Sequence, residues 1–528
     1  MAESGPSAAP LREILIEIDK DGHCRVEGKK IAIDELADAI KKVAGPGADR
    51  PAALIQLDPQ CKFEYAINAI TALATTGIQK IRFARPLAPG KETGHQPNVL
   101  LIFVDDLGYG DLSSYGAKDL QTPHVDKLVE RGMRFSAFYA NCTVCSPSRA
   151  SLLSGRYPDA VGVPGVIRTH SRNSFGLLSR DAVLLPAVLN NAGYRTAMFG
   201  KWHLGLGSPS LPNERGFDLF HGFLGDMMDD YYHHRRQGQN YMRLNDEVID
   251  PKGHATDLFT EWTCEWLKDY KQDEPFFIYL AYNAPHFPIQ PPADWLAKYK
   301  EKHPDVPDKR ARNAAFIEHL DDGIGQVIAA LDESGRGENT LVIFTSDNGG
   351  SLPHAQSNGA LAGGKQDHLE GGIRVPMCAV WPGRIEPGSR SDRVALAMDL
   401  LPTICRAAGA TYDKKIDGRS ILPTLLGENQ PKEDRYLFWV RTEGGRRYHG
   451  TPYYAARHGD WKLLQNTPDE PFRLYNLKDD PKETTDLAAK HPDEYAQLKS
   501  ALDLHIATYK DVPTRLPDGT GPGEIANP

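Results

Sequence analysis

The hydrophobic pattern changes character near residue 97. Before it, apolar positions alternate: Ile14, Ile16 and Ile18 stand among Glu13, Glu17 and Asp19, the period of a strand with one buried face. Asp21-Gly22 is a turn signal that closes a hairpin with Cys24-Arg25-Val26. Asp34 is placed to cap a helix carrying Leu36, Ile40 and Val43 on one face. A strand at 53–57 follows, then a helix lined by Tyr65, Ile67, Ile70 and Leu73 and stopped by Gly77, then a last strand at 78–83. This ββαβαβ order predicts a small α+β domain. After residue 97 the apolar runs become continuous. Residues 98–104 and 341–344 read as parallel strands buried on both faces of an α/β sheet.

Near the C-terminus, residues 453–464 predict two strands around Gly459-Asp460, and 473–477 a third. A helix through Tyr495, Leu498 and Leu502 follows, and the Pro- and Gly-rich tail from 513 reads as extended. At 528 residues the chain exceeds one ordinary core. The expected division is a small domain at 1–84, a Pro/Gly linker at 85–96, a large α/β body at 97–425 and a smaller part at 426–528.

The formal charge of -9 argues against nucleic acid or an anionic membrane surface as partner. An anionic substrate must then be attracted by local charge. The seven cysteines, Cys24, Cys61, Cys142, Cys145, Cys264, Cys378 and Cys405, are too sparse for a disulfide framework. Met1-Ala2-Glu3-Ser4-Gly5-Pro6 holds an acid and no apolar core, so it does not read as a secretory signal. No apolar run reaches the length of a membrane span.

Both buried strands end in side-chain oxygen donors, Asp105-Asp106 and Asp347-Asn348. The C-terminal edge of such a sheet is where ligands bind. Four hard oxygen donors there suit Ca²⁺ or Mg²⁺ and not zinc. Either pair alone would be a solvated turn. Further blocks carry cations and a cysteine: Cys145-Ser146-Pro147-Ser148-Arg149, Gly200-Lys201-Trp202-His203, Ala284-Pro285-His286-Phe287-Pro288, and Gly363-Gly364-Lys365 with Glu370-Gly371-Gly372.

In this order the blocks resemble the type I, formylglycine-dependent sulfatases of the arylsulfatase A and N-acetylgalactosamine-6-sulfatase kind. The resemblance implies an alkaline-phosphatase-like fold: a mostly parallel central sheet sandwiched by helices, with a small antiparallel C-terminal sheet. It implies a sulfuric ester hydrolase acting on an O-sulfate ester, of a sugar, with aryl sulfates as model substrates. A maturation enzyme would oxidise Cys145 to formylglycine. One hydroxyl of its hydrate would attack sulfur, giving a covalent sulfate, and the other would later collapse and expel it. Arg149 and Lys201 would hold formylglycine and sulfate oxygens. His203 would be the base, and His286 and Lys365 would assist the departing alcohol. Position 145 would join Asp105, Asp106, Asp347 and Asn348 around Ca²⁺, with Mg²⁺ as the other candidate. The alternatives are a phosphodiester or phosphonate monoester hydrolase of the same superfamily, or a non-catalytic envelope-binding protein. The intact cationic set argues against the last.

Two positions depart from the family pattern: Ser154 where Thr is common, and Gln366-Asp367-His368-Leu369 after Lys365. The second puts substrate specificity in question. The polar and aromatic stretch at 225–236 reads as a flexible loop lining the cleft, with His449 and Arg457 reaching the same cleft. Cys142 reads as a packing residue. The first domain resembles the periplasmic domain of ExbD/TolR biopolymer-transport proteins, which implies self-association or an envelope partner. Family resemblance points to a periplasmic or secreted protein, and the leaderless N-terminus to the cytoplasm.

Overall fold

The computed structural model describes residues 13–18, 23–26, 29–32, 35–44 and 52–57, scattered positions within 65–84, and 96–516 apart from 171, 172 and 433. The chain forms two compact units, Met1–His95 and Gln96–Pro528.

In the first unit one sheet runs in the order Lys29–Ile31, Cys24–Val26, Glu13–Ile18, Ala52–Leu57, Ile81–Ala84. The alternation of the first strand buries Ile14, Ile16 and Ile18 against Leu36 and Ile40 of the helix Leu36–Ala44. Cys24 pairs with Ile18 in the expected antiparallel hairpin, and Ala52–Leu57 pairs in parallel. The short strand Lys29–Ile31 was not expected from the sequence. The last strand begins at Ile81, not 78. The Asp21-Gly22 turn, the Asp34 cap, Cys61, Ile67, Ile70, Gly77, the linker at 85–95 and the tail from 517 lie outside the described residues.

The second unit is built on a ten-stranded mixed sheet. Its centre is parallel: Leu219–Phe223, Arg195–Lys201, Phe276–Ala281, Asn98–Val104 and Thr340–Ser346 lie side by side in that order. Both margins turn antiparallel, through Met242–Leu244 on one side and Met377–Val380 on the other. The outermost pair, Met133–Phe135 beside Ser389–Ser391, is parallel again, and the central parallel run is the part whose strand ends build the site. Val99 to Val104 are all fully buried because helices flank the sheet. Pro123–Arg131, Ala255–Asp269 and Ala293–Lys302 pack on the long helix Asp308–Glu333. Cys145–Ser154, Leu185–Asn191 and Leu400–Ala408 form a second group.

The C-terminal part is a four-stranded antiparallel sheet: Tyr436–Arg441, Tyr453–His458, Trp461–Leu464 and Arg473–Asn476. Its first strand adds to the three expected. The helix Pro492–Tyr509 covers one face through Leu498 and Leu502.

Candidate active site

Neighbouring strand ends deliver the site. Val104 stands opposite Ser346 in parallel register, so Asp105 and Asp347 follow side by side. The strand Arg195–Lys201 ends on Lys201, and the chain leaving Phe276–Ala281 reaches His286 five residues later. Asp106 adopts a left-handed backbone, φ 67°, and its N–H donates to Asp347 Oδ1 at 3.1 Å. Gly349 lets the short helix Glu370–Ile373 approach: a Cβ there would meet Gly371 O at 1.8 Å.

Cys145 opens the wholly buried helix Cys145–Ser154, after Val144 in extended conformation. Its first-turn N–H groups and the positive end of the helix dipole favour an anion at this point. Arg149 lies one turn on, on the same face.

The ion pairs are buried and tight. Lys201 Nζ donates to Asp105 Oδ2 at 2.6 Å, and Arg149 Nη2 to Asp347 Oδ2 at 2.9 Å. Arg149 Nη1 also holds Lys201 O at 3.0 Å. Lys365 Nζ donates to Asp106 Oδ2 at 2.7 Å and lies 3.7 Å from Cys145 Sγ. Asn348 Nδ2 donates to Asp106 Oδ1 at 2.8 Å. Asp105, Asp106, Cys145, Arg149, Lys201, Asp347, Asn348 and Lys365 are thus gathered in one place, with His203 and His286 beside them.

The donor set fits a divalent cation. The buried oxygens Asp105 Oδ1 and Asn348 Oδ1 have no hydrogen-bond partner among the described residues. Ligand atoms of Asp105, Asp106, Cys145 and His286 all lie within 4.8 Å of one another. His286 Nδ1 is 2.7 Å from Phe287 O, which places its proton there and leaves Nε2 as a lone pair. That lone pair faces Asp106 Oδ2 at 3.6 Å. Two facing acceptors call for a proton or a cation between them. Burial, then the charge of Asp105, pushes Asp347 up to about 8, the crowding of carboxylates that a cation reverses. Burial also works against the Asp105 carboxylate, but Lys201 and the other cations outweigh it and hold the group well below its usual range. Both oxygens of Asp347 are already engaged, and His286 stands closer to the ligand cluster than the sequence alone implied.

The surroundings of both histidines favour the neutral form. Burial first, then the charge of Lys201, holds His203 well below its usual range. Its Nε2 is 2.9 Å from Ile167 O, and Nδ1 is buried without a hydrogen-bond partner among the described residues. With the proton on Nε2, Nδ1 is a free base. Its backbone is held at φ 58°, a strained conformation for a non-glycine residue. Burial and then Lys365 lower His286 to about 4. Burial and then Asp105 push the Cys145 thiol well above its ordinary value.

Some residues are placed elsewhere. Arg457 donates to Tyr139 Oη and Gly459 O, within a buried cluster at the C-terminal sheet. His449 is exposed, 3.9 Å from Asp469. The stretch at 225–236 is not a loose loop: Arg236 pairs with Asp226 and Asp229, and Asp230 with His233 and Gln290. Tyr231 there reaches the backbone oxygens of Asn283 and His286, each at 2.9 Å, and so steadies the His286 segment. His368 is fully buried and turned to Gln465 and Asn466, so it does not face substrate. Cys142 donates to Val440 O at 3.2 Å and packs, as expected. A second cluster, His254, Asp257 and His319, does not fit a metal. His254 Nδ1 accepts from Thr256 N–H and Nε2 donates to Gln290 O, which leaves the ring no lone pair to give.

The sulfatase family profile matches residues 97–410, and the profile of the N-sulphoglucosamine sulphohydrolase C-terminal region matches 365–511. Human arylsulfatase A is 35% identical over 453 residues, 76% of this chain and 85% of that protein. Human N-acetylgalactosamine-6-sulfatase is 33% identical over 368 residues, 65% of this chain and 68% of that protein. The crystal structure of Ps i-CgsB in complex with k-i-k-neocarrahexaose superposes with a TM-score of 0.72 at 30% identity, covering 80% of this chain and 96% of that one. These similarities do not favour the phosphodiesterase alternative. The chain belongs to the sulfatase family and is a sulfuric ester hydrolase.

Proposed function

We propose that the chain hydrolyses an O-sulfate ester of a carbohydrate at Cys145, after a maturation enzyme has converted that residue to formylglycine. The observation that carries this reading is the surroundings of Cys145. It sits at a helix N-terminus, 3.7 Å from Lys365 Nζ and beside partnerless buried oxygens. In the structure Sγ stands where the oxygen substituents of the hydrated aldehyde would lie. A thiol held so far above its ordinary value is a poor nucleophile. The hydrated aldehyde supplies a nucleophilic oxygen instead.

Asp105, Asp106, Asp347, Asn348 and position 145 would hold Ca²⁺, or Mg²⁺, and the bound ion supplies fixed positive charge against the sulfate oxygens. Arg149 and Lys201, fixed by Asp347 and Asp105, supply two more positive groups that need no reorganisation. Neutral His203 takes a proton at Nδ1. Lys365 donates to the departing alcohol oxygen. A bound anionic ester favours protonation of His286 Nε2, which then hydrogen-bonds a sulfate oxygen. The sugar assignment draws on a relative named for N-acetylgalactosamine and on a similar structure solved with an oligosaccharide.

The N-terminal unit we read as an ExbD/TolR-like docking or self-association domain, supported by its element order and its own core. Among the described residues no helix is long and apolar enough to cross a membrane. A periplasmic or secreted site of action is the family-based reading.

The test is mass spectrometry of the Cys145 peptide, from protein made with a maturation enzyme, together with turnover of 4-nitrophenyl sulfate and bis(4-nitrophenyl) phosphate. Conversion to the aldehyde with sulfate turnover in excess is expected. An unmodified thiol in fully active protein would overturn the formylglycine reading, and dominant phosphodiester turnover the substrate class.

A further inference from the structure

The C-terminal sheet reaches the site through the end of one strand. Trp439 Nε1 donates to Ala140 O at 2.8 Å, and Thr442 N to Pro164 O at 2.8 Å. The strand Tyr436–Arg441 therefore lies along the segments that flank the Cys145 helix. Just beyond it, the Glu443 carboxylate accepts from two arginines: Arg168 Nη2 at 2.9 Å and Arg441 Nη2 at 3.1 Å.

Each arginine leads to a different active-site group. Arg168 follows Ile167, whose carbonyl holds His203 Nε2 at 2.9 Å. Arg441 Nη1 donates to Tyr453 Oη at 2.6 Å and to Gln366 O at 3.3 Å, and Tyr453 Oη donates to Gln366 O at 3.2 Å. Gln366 is the residue after Lys365. Its φ of 85° is a conformation that a non-glycine side chain keeps only when its surroundings over-determine it. Here its N–H is fixed to Thr143 O at 3.1 Å, while Arg441 and Tyr453 hold its carbonyl. Arg441 is 1% exposed, with its guanidinium against the rings of Tyr448 and Tyr453, so the donor itself does not wander.

We propose that Glu443, Arg441 and Tyr453 are positioning residues that set Lys365, through Gln366, and His203, through Ile167, in fixed register about Cys145. The inference rests on the roles given above to Lys365 and His203. Released from Arg441 and Tyr453, the Gln366 peptide relaxes toward negative φ and carries the Lys365 backbone with it. The ammonium then leaves its place between Asp106 and Cys145. Misplacement of a reacting group by about 1 Å costs on the order of a hundredfold in rate.

The variants Tyr453→Phe and Glu443→Gln test this, since each keeps the shape of the side chain it replaces. Two esters are compared: a sugar O-sulfate, whose alkoxide leaving group needs a proton, and 4-nitrophenyl sulfate, whose phenolate does not. Tyr453→Phe acts only on the Lys365 arm. It is expected to lower kcat on the sugar sulfate about tenfold, with KM within about twofold, and to spare the aryl sulfate. Glu443→Gln touches both arms and is expected to lower kcat on both esters, because the His203 step is common to them. A general loss of packing would instead lower both rates in Tyr453→Phe in step with melting temperature, and that result would overturn the positioning role. Wild-type turnover measured alongside separates the readings. An inactive wild type overturns the functional reading and this one together, whereas an active wild type with unchanged variants overturns this one alone.

Discussion

Cys145 and Cys142 are three residues apart, equally buried, and suited to different work. Cys145 faces Lys365 and the carboxylates, and Cys142 spends its S–H on Val440 O. Cys145→Ala is expected to abolish turnover with melting temperature nearly unchanged, since a small side chain fits the helix start. Cys142→Ala is expected to keep its rate and to lose about 1 kcal/mol of stability with the buried contact. Rates and melts of the two variants check both, and an inactive Cys142→Ala would mean the pair was misassigned. The orphan oxygens set a second expectation. Adding Ca²⁺ at about 100 times its dissociation constant to chelated protein should stabilise it by about 2.7 kcal/mol, read as a rise in melting temperature. Asn348→Ala, which removes one of those oxygens, should shrink the rise and weaken the dependence of the rate on Ca²⁺. Full activity after exhaustive chelation would remove the metal from the site. These residues were legible in the sequence because each sits in a short block whose neighbours fix its meaning. Arg168, Arg441 and Glu443 were not, since no local motif marks them and their link exists only when segments 275 residues apart meet.

At the scale of elements, the strands were legible where their pattern was long. The continuous run from Val99 to Val104 and the alternation of Ile14, Ile16 and Ile18 each dictate one burial. Three-residue Lys29–Ile31, exposed on two of its positions, carries no such pattern. The first strand of the C-terminal sheet, buried through Leu437, Trp439 and Val440, adds to those expected from the sequence. Beside the apolar contacts of Leu437 and Trp439, a charge cluster that periodicity does not reveal ties that sheet to the large body. Lys462 Nζ lies 2.9 Å from both Glu370 and Glu483, and all three side chains are at most 1% exposed. Burial opposes ionisation of Glu370, but Lys462, Arg457 and Arg374 together outweigh it and lower the group to about 2, while burial raises Glu483. Lys462→Met takes the shared ammonium from two buried carboxyls, leaving Glu370 to Arg374 at 3.5 Å, and is expected to cost about 3 kcal/mol at pH 7. The sign with pH follows from Glu370. Its folded value is below the unfolded one, so its contribution is present above about 4.5 and is lost as pH falls toward about 2. The variant's deficit should therefore narrow in acid, where protonated carboxyls no longer need the ammonium. Denaturant titrations at pH 7 and pH 4 measure it, and a deficit that does not change with pH would assign the loss to packing alone.

At the scale of the whole molecule, the change of hydrophobic pattern near residue 97 and the division at residue 95 have one cause. Each unit closes its own core. The first buries Ile14, Ile16, Ile18, Leu36, Ile40, Ile55 and Leu73 among themselves. The second closes around Val99 to Val104 and their neighbours. The site lies wholly in the second: Asp105 is the first of its residues along the chain and Lys365 the last, and the positioning contacts from Arg441, Glu443 and Tyr453 come from the same unit. Removing residues 1–95 is therefore expected to leave the rate on 4-nitrophenyl sulfate within about twofold, because no group that touches the reacting atoms is lost. The isolated segment 8–85 is expected to fold alone, with a cooperative melt of modest stability for its size. Self-association or retention on an envelope fraction should go with the deleted part. Aryl sulfatase rates, circular dichroism of the segment and sedimentation of both pieces check the three expectations separately. A rate that falls a hundredfold on deletion, with the large unit still folded, would show that the first domain completes the active site, and the two-module division would then fail at the level of function even though each core is closed.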